Sequence, residues 1–224
     1  MVQLKLSQYW LLSHKPLKTE HIHIYRKQER EDMKMKIALF GKMRAGKDTV
    51  ADILAEEYGF EKFAFAQGIG EIIVKYFPTA LSYGKPRKHY QHIGQSMREL
   101  DNDVWITYLL KRVLHYKMDL KLSVENKNNK KPFRVVVTDG RQLNEADRLR
   151  KEGYLIVKVE APKETRFKRS LASRDIFTEE ALEHETEKQV DLVRPDITIV
   201  NDGSIEDLRR KVKDLMESGV LCDE

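Results

Sequence analysis

The fold this sequence predicts is α/β, with a mostly parallel five-stranded sheet covered by helices on both faces, and three observations predict it. Short uninterrupted apolar runs such as Ile37-Ala38-Leu39-Phe40 and Val135-Val136-Val137 have the composition of strands buried on two faces. Stretches with helical spacing of apolar residues alternate with those runs, which is the pattern of strand–helix–strand crossovers. Between the first run and the first helix lies a glycine-bearing turn, Gly41-Lys42-Met43-Arg44-Ala45-Gly46-Lys47-Asp48-Thr49. No repeat of fixed period is visible.

Taken in order, residues 1–34 differ from the rest. Leu4, Leu6, Tyr9, Trp10, Leu11 and Leu12 form an apolar cluster followed by a polar, charged stretch. No secretory cleavage pattern follows, so residues 1–34 read as an extension of unknown role, loosely packed, ahead of a domain over 35–224. The first strand, 36–40, runs through the turn into a helix whose Val50, Ile53, Leu54 and Tyr58 share one face and which stops at Gly59. A short strand is expected over 61–66. An amphipathic helix follows, carrying Ile69, Ile72, Ile73, Tyr76 and Phe77 and ending at Pro78.

After a turn-rich link at 82–86, two further helices are marked by Ile93, Met97 and Leu100, and by Val104, Trp105, Tyr108, Leu109 and Val113. Residues 117–133 contain a stretch, 125–132, with the composition of an exposed loop. The strand 134–139 ends on Asp139. Another runs over 154–159, Pro162 opens a helix, and a charged helix with His184, Glu185 and Glu187 occupies 178–191. The last strand, 196–200, leads through Asn201-Asp202-Gly203-Ser204 into an amphipathic helix ending at Gly219.

The 224 residues suffice for one substantial core; 41% hydrophobic and 34% charged residues exclude a disordered chain. No stretch approaches the roughly 20 apolar residues of a spanning helix, so no membrane partner is expected. A lone Cys222 rules out an internal disulfide and points to a reducing, cytoplasmic setting. The net charge of +5 is spread among interleaved acids, which argues against nucleic acid as the partner.

The turn is a close match to the Walker A pattern, in which glycines let successive N–H groups face one anion and the helix N-terminus adds positive potential. Gly41, Arg44, Ala45, Gly46, Lys47, Asp48 and Thr49 are the candidate phosphate-binding residues, with Lys47 on the β- and γ-phosphates of ATP. Asp48 stands where the pattern has a hydroxyl. It either holds Mg²⁺, directly or through water, or accepts N–H bonds at the helix start. Asp139, at the end of a buried-type strand, has the place of a second Mg²⁺ carboxylate; a plain Asp-Gly turn is the other reading. Arg166 and Arg169 share a helix face and suit either a lid closing on the transferred phosphoryl group or a solvated surface.

With these residues in view, the chain from about Met35 onward resembles the phage-type deoxynucleoside monophosphate kinases of the P-loop nucleoside monophosphate kinase group. The resemblance rests on Gly46-Lys47-Asp48-Thr49, on Phe65-Ala66 before a helix, on Gly94-Gln95-Ser96-Met97-Arg98 with Asp103-Val104-Trp105, and on Thr138-Asp139-Gly140-Arg141 with Asn144-Glu145. Where the family shows an Asp-Pro-Leu-like turn, this chain has Gln67-Gly68-Ile69. The resemblance implies a P-loop kinase fold with a helical acceptor-binding part over about 67–117 and a small lid over about 162–190.

It also implies ATP- and Mg²⁺-dependent phosphoryl transfer to a (deoxy)nucleoside monophosphate, with Arg98 and Arg141 on the acceptor phosphate and Asn201 near the adenine. Phe65, Trp105, Glu145 and Arg174 are then the remaining acceptor-site candidates. A homodimer is left open. Two other readings stand beside this one: a P-loop kinase for another small phosphate ester, of the phosphomevalonate or dephospho-coenzyme A type, and a nucleotide-gated, nucleic-acid-associated binding protein. Asn126-Lys127-Asn128-Asn129 lacks the Asp of a guanine-reading segment, so adenine nucleotides are expected.

Overall fold

The computed structural model describes residues 35–124, 131–172 and 185–218. The 1–34 extension, the 125–130 loop, the lid interior with Arg174 and His184, and Cys222 lie outside the described residues. Five strands, β1 (Met35–Phe40), β2 (Glu61–Phe63), β3 (Arg134–Gly140), β4 (Leu155–Glu160) and β5 (Ile197–Val200), form one sheet in the order β2-β3-β1-β4-β5. Every neighbouring pair is parallel. The expected α/β architecture is therefore present, with β1 at the centre, where successive crossovers part to either side and a crevice opens at the strand C-termini.

The helices are α1 (Lys47–Tyr58), α2 (Ala66–Tyr76), α3 (Arg87–Leu100), α4 (Val104–Val124), α5 (Leu143–Lys151), α6 (Lys163–Ala172), α7 (Glu185–Leu192) and α8 (Ile205–Glu217), with a 3₁₀ segment at Pro78–Tyr83. Alternation along the strands sends Ala38, Phe40, Val135, Val137 and Ile156 to one face, where they pack with Ile69, Ile73, Trp105, Leu109 and Leu149 of α2, α4 and α5. Ile37, Leu39, Val136, Val157 and Val159 are fully buried as well, so the sheet has no solvated face. Packing of α1 against β1 and β3, and of α8 against α1, builds that second layer.

One element differs from expectation. The strand expected over 61–66 stops at Phe63, because the N–H groups of Phe65 and Ala66 donate to the Asp139 carboxylate at 2.8 and 2.9 Å and start α2 instead. The helix marked by Val104 to Val113 runs on to Val124. Tyr116 explains the extension: its ring packs against Phe63 and Phe133, centroids 5.8 and 6.1 Å away, and carries the helix along the sheet.

Candidate active site

The phosphate loop hangs between β1 and α1. Gly41 has φ +154°, and a Cβ there would run into the Val159 carbonyl of the neighbouring strand, so the turn passes β4 at a distance only glycine permits. Arg44 is the one described non-glycine residue with positive φ, at 62°. Gly46, at φ +103°, is the N-cap of α1 and offers no side-chain acceptor to the first-turn N–H groups. A helix start without its own cap is a ready anion site. Lys47 is 7% exposed and donates from Nζ to the carbonyls of Gly41 at 2.6 Å and Lys42 at 3.2 Å. The ammonium is thereby held inside the loop it would share with a phosphate. Thr49 lies one residue further along α1, while Asp48 is exposed in its first turn.

Asp139 sits where the β1–β3 register slips. Ala38 pairs with Val137 but Phe40 pairs with Gly140, so β3 carries one extra residue at its end. Such a bulge re-aims a side chain. Here it turns the Asp139 carboxylate to the start of α2, where each oxygen accepts one backbone N–H, from Phe65 and from Ala66. Burial pushes the Asp139 carboxyl above its ordinary range; the two N–H donors, Arg141 and Lys47 oppose the shift. Sequence left Asp139 as a metal carboxylate or a plain turn residue; in the structure its oxygens accept the first N–H groups of α2.

Three segments, 94–98, 102–105 and 141–145, meet next to it. Glu145 is 3% exposed; its Oε2 accepts from the N–H groups of Arg141 and Gln142 at 2.9 and 3.0 Å, and its Oε1 accepts from Arg98 at 3.3 Å. Desolvation pushes Glu145 up to about 7, against the pull of those N–H groups and of Arg98; the charge of Asp139 adds to the rise. Arg98 also donates to the Gly94 carbonyl at 3.3 Å, and the indole N–H of Trp105 donates to the same oxygen at 3.1 Å. Asn144 closes the set by donating to the Asn102 carbonyl and to Asp103 Oδ1, at 3.3 and 3.1 Å. One guanidinium, that of Arg98, is thus held at the crevice by a carboxylate behind it.

Three residues read from sequence as acceptor candidates are buried. Phe65 and Trp105 are 2% and 3% exposed within the apolar cluster, and both oxygens of Glu145 are engaged by protein donors. The rings gain by packing away from water, whereas the buried Glu145 carboxyl is disfavoured as an anion and is tolerated through its N–H and Arg98 partners.

On the other side of the loop, Arg166 donates to the Met43 carbonyl at 3.4 Å. Arg169 donates to the carbonyls of Arg44 and Ala45, at 3.4 and 3.3 Å, and to Asn201 through its carbonyl and Oδ1, at 3.3 and 3.1 Å. Asn201, 5% exposed, donates from Nδ2 to the Ala45 carbonyl at 2.8 Å. Lys42 pairs with Asp191 of α7 at 2.7 Å. A cleft of about 350 Å³ opens here between Lys42, Lys158, Pro162 and Arg166. Sequence reasoning missed the Lys42–Asp191 pair and the bond from Asn144 to Asp103, because neither a lone aspartate on a charged helix nor an asparagine side chain signals a partner far along the chain.

No group of three or more His, Cys, Asp or Glu side chains able to cage a metal occurs among the described residues. Mg²⁺ needs only one or two carboxylates and takes its other ligands from phosphate and water, and the exposed Asp48 beside the phosphate loop is a carboxylate of that kind. Asp48 and Asp139 are the carboxylates flanking the phosphate loop. No described helix is long and apolar enough to cross a membrane.

Comparison with known structures finds fold-level similarity. A protein designated TT1252 from Thermus thermophilus aligns with a TM-score of 0.50 at 21% identity, covering 83% of this chain and 97% of the other. A shikimate kinase from Acinetobacter baumannii in complex with shikimate aligns with a TM-score of 0.48 at 20% identity, covering 87% and 98%. A dephospho-CoA kinase from Campylobacter jejuni gives 0.41 at 19% identity, covering 85% and 98%. No curated protein matches in sequence. The family described as deoxynucleotide monophosphate kinase matches residues 34–95 and 87–212, a span that contains the phosphate loop, the Arg98–Glu145 pair and the arginines of α6. With most of its length matched, this chain belongs to the deoxynucleotide monophosphate kinase family.

Proposed function

We propose that the protein transfers the γ-phosphoryl group of ATP to a (deoxy)nucleoside monophosphate, giving the diphosphate. One observation carries the reading: the Asp139 carboxyl at the end of β3 lies within electrostatic reach of Lys47 in the phosphate loop and of Glu145, the carboxylate that Arg98 pairs with. Phosphoryl transfer through a loose transition state needs two phosphate groups held in line and the spreading charge neutralised; protein-derived covalent chemistry is not required. In this reading the loop N–H groups and Lys47 hold the donor, and Lys47 leaves the Gly41 and Lys42 carbonyls to follow the β- and γ-phosphates. Arg98 and Arg141 hold the acceptor phosphate. Arg166 lies on the lid side of the loop and supplies positive charge to the oxygens of the group in flight.

Mg²⁺ would be held by Asp48, with Asp139 behind it through water, and supplies charge neutralisation of the bridging phosphate oxygens. Glu145 keeps Arg98 in place, while Phe65 and Trp105 keep water from the rear of the crevice. Arg174, from the lid interior, completes the acceptor candidates. The test is a coupled ADP-release assay with ATP, Mg²⁺ and each common deoxynucleoside and ribonucleoside monophosphate. Acceptor-dependent turnover is expected for at least one of them. Turnover only with another phosphate ester, or none at all, would overturn the reading.

A further inference from the structure

We infer that Arg169 and Asn201 act as positioning residues for the phosphate loop, fixing the donor cradle from behind, and that the α6 helix and the β5–α8 turn thereby set ATP affinity. The inference rests on the nucleotide-binding reading of the loop and replaces the expected lid role of Arg169 and adenine contact of Asn201.

A loop that turns its N–H groups inward must turn carbonyls outward, and buried carbonyls need donors. Asn201 Nδ2 meets the Ala45 carbonyl at 2.8 Å, and Arg169 reaches the Arg44 and Ala45 carbonyls at 3.4 and 3.3 Å. Two bonds on the Ala45 oxygen fix the plane of the Ala45–Gly46 peptide, and with it the direction of the Gly46 N–H that precedes Lys47. The strained backbone of Arg44, at φ 62°, lies in the segment these bonds secure. Arg169 and Asn201 also hold each other, through Nη2 to Oδ1 at 3.1 Å, so the two form one unit. The fit is close enough that a Cβ on Gly46 would fall on the Asn201 amide. Asn201 is itself anchored by its N–H to the Glu160 carbonyl at 2.6 Å, which ties the unit to the end of β4.

A guanidinium with four acceptors among its surroundings is spent on the scaffold. A transition-state cation would act on turnover; a brace acts on donor binding.

The experiment uses the full chain. ATP with Mg²⁺ is titrated calorimetrically into the unaltered protein, Asn201→Ala, Arg169→Met, the double variant and Lys47→Ala, with thermal unfolding as a check on folding. Asn201→Ser and Arg169→Lys serve where a first variant does not fold. Each single variant is expected to weaken ATP about 10-fold, and the double variant by little more than either single, because the two side chains form one unit. In steady state, the donor KM should rise while the acceptor KM and the turnover at saturating ATP stay within about 3-fold, a split that simple loss of structure would not produce.

A double variant near 100-fold, the product of independent effects, overturns the inference. So does an unchanged ATP affinity with lowered turnover in Arg169→Met, which restores the lid cation. Binding that Lys47→Ala abolishes and the Asn201 and Arg169 variants leave intact sinks the brace alone. Absence of ATP binding by the unaltered chain sinks the proposed function together with it.

Discussion

Glu145→Gln separates the electrostatic account of the crevice from a purely steric one. Burial raises the Glu145 carboxyl from an ordinary 4.5 to about 7. Between those values the folded chain holds a proton that the unfolded chain releases, so unfolding stability falls as pH rises through this window and levels off above it. At 1.36 kcal/mol per unit, the gap amounts to on the order of 3 kcal/mol. Asp139 is shifted in the same direction and its charge contributes to the rise at Glu145, so the two carboxyls titrate as a pair.

Glutamine keeps an oxygen for the Arg141 and Gln142 N–H groups and cannot ionise. The difference in unfolding free energy between Glu145→Gln and the unaltered chain should therefore move in favour of the variant by about 3 kcal/mol between pH 4.5 and pH 8. Urea unfolding at half-unit pH steps, with both proteins at one ionic strength, measures it. Curves that run parallel within about 0.5 kcal/mol across the range would refute a buried, charge-strained Glu145. The same variant should raise the acceptor KM, since Arg98 loses the carboxylate that orients it.

Lys47→Ala should abolish ATP binding and turnover and lower stability by about 1–3 kcal/mol, because the buried Gly41 carbonyl loses this donor; calorimetry and thermal unfolding check both halves. Gly41→Ala should cost about 2–4 kcal/mol by urea unfolding, since its Cβ meets the Val159 backbone and its φ is one L-residues avoid. Trp105→Phe keeps the ring in the core and removes the bond to the Gly94 carbonyl. It should lower stability by about 1 kcal/mol and raise the acceptor KM several-fold while leaving ATP affinity unchanged. An unchanged acceptor KM would detach the α3–α4 packing from the site.

The sheet was legible because its strands are buried on both faces. Ile37 to Phe40 and Val135 to Val137 have to be continuous apolar runs, and nothing polar is available to blur their limits. The short strand β2 was misjudged for the opposite reason. Phe63, Ala64, Phe65 and Ala66 look uniformly apolar, and what divides strand from helix among them is a carboxylate 73 residues further on, that of Asp139, acting on the Ala66 N–H.

The site divides along the same line. Backbone demands leave marks in sequence: Gly41 and Gly46 are needed at positive φ and at close approaches, so the loop could be located from residues alone. Charge placement does not. Arg98, Arg166 and Arg169 are equivalent as letters, and their surroundings differ only through neighbours: Glu145 and the Gly94 carbonyl hold the first beside α5, whereas Asn201 and the Ala45 carbonyl draw the last against the phosphate loop. The same holds for the acids. Asp48, exposed on the first turn of α1, remains available to a cation, while the part-buried Asp139 and the buried Glu145 are drawn into backbone hydrogen bonds that set where α2 and α5 begin. A crevice organised in this way keeps its cations in position by burying the anions that hold them, and the raised carboxyl of Glu145 measures what that arrangement costs in stability.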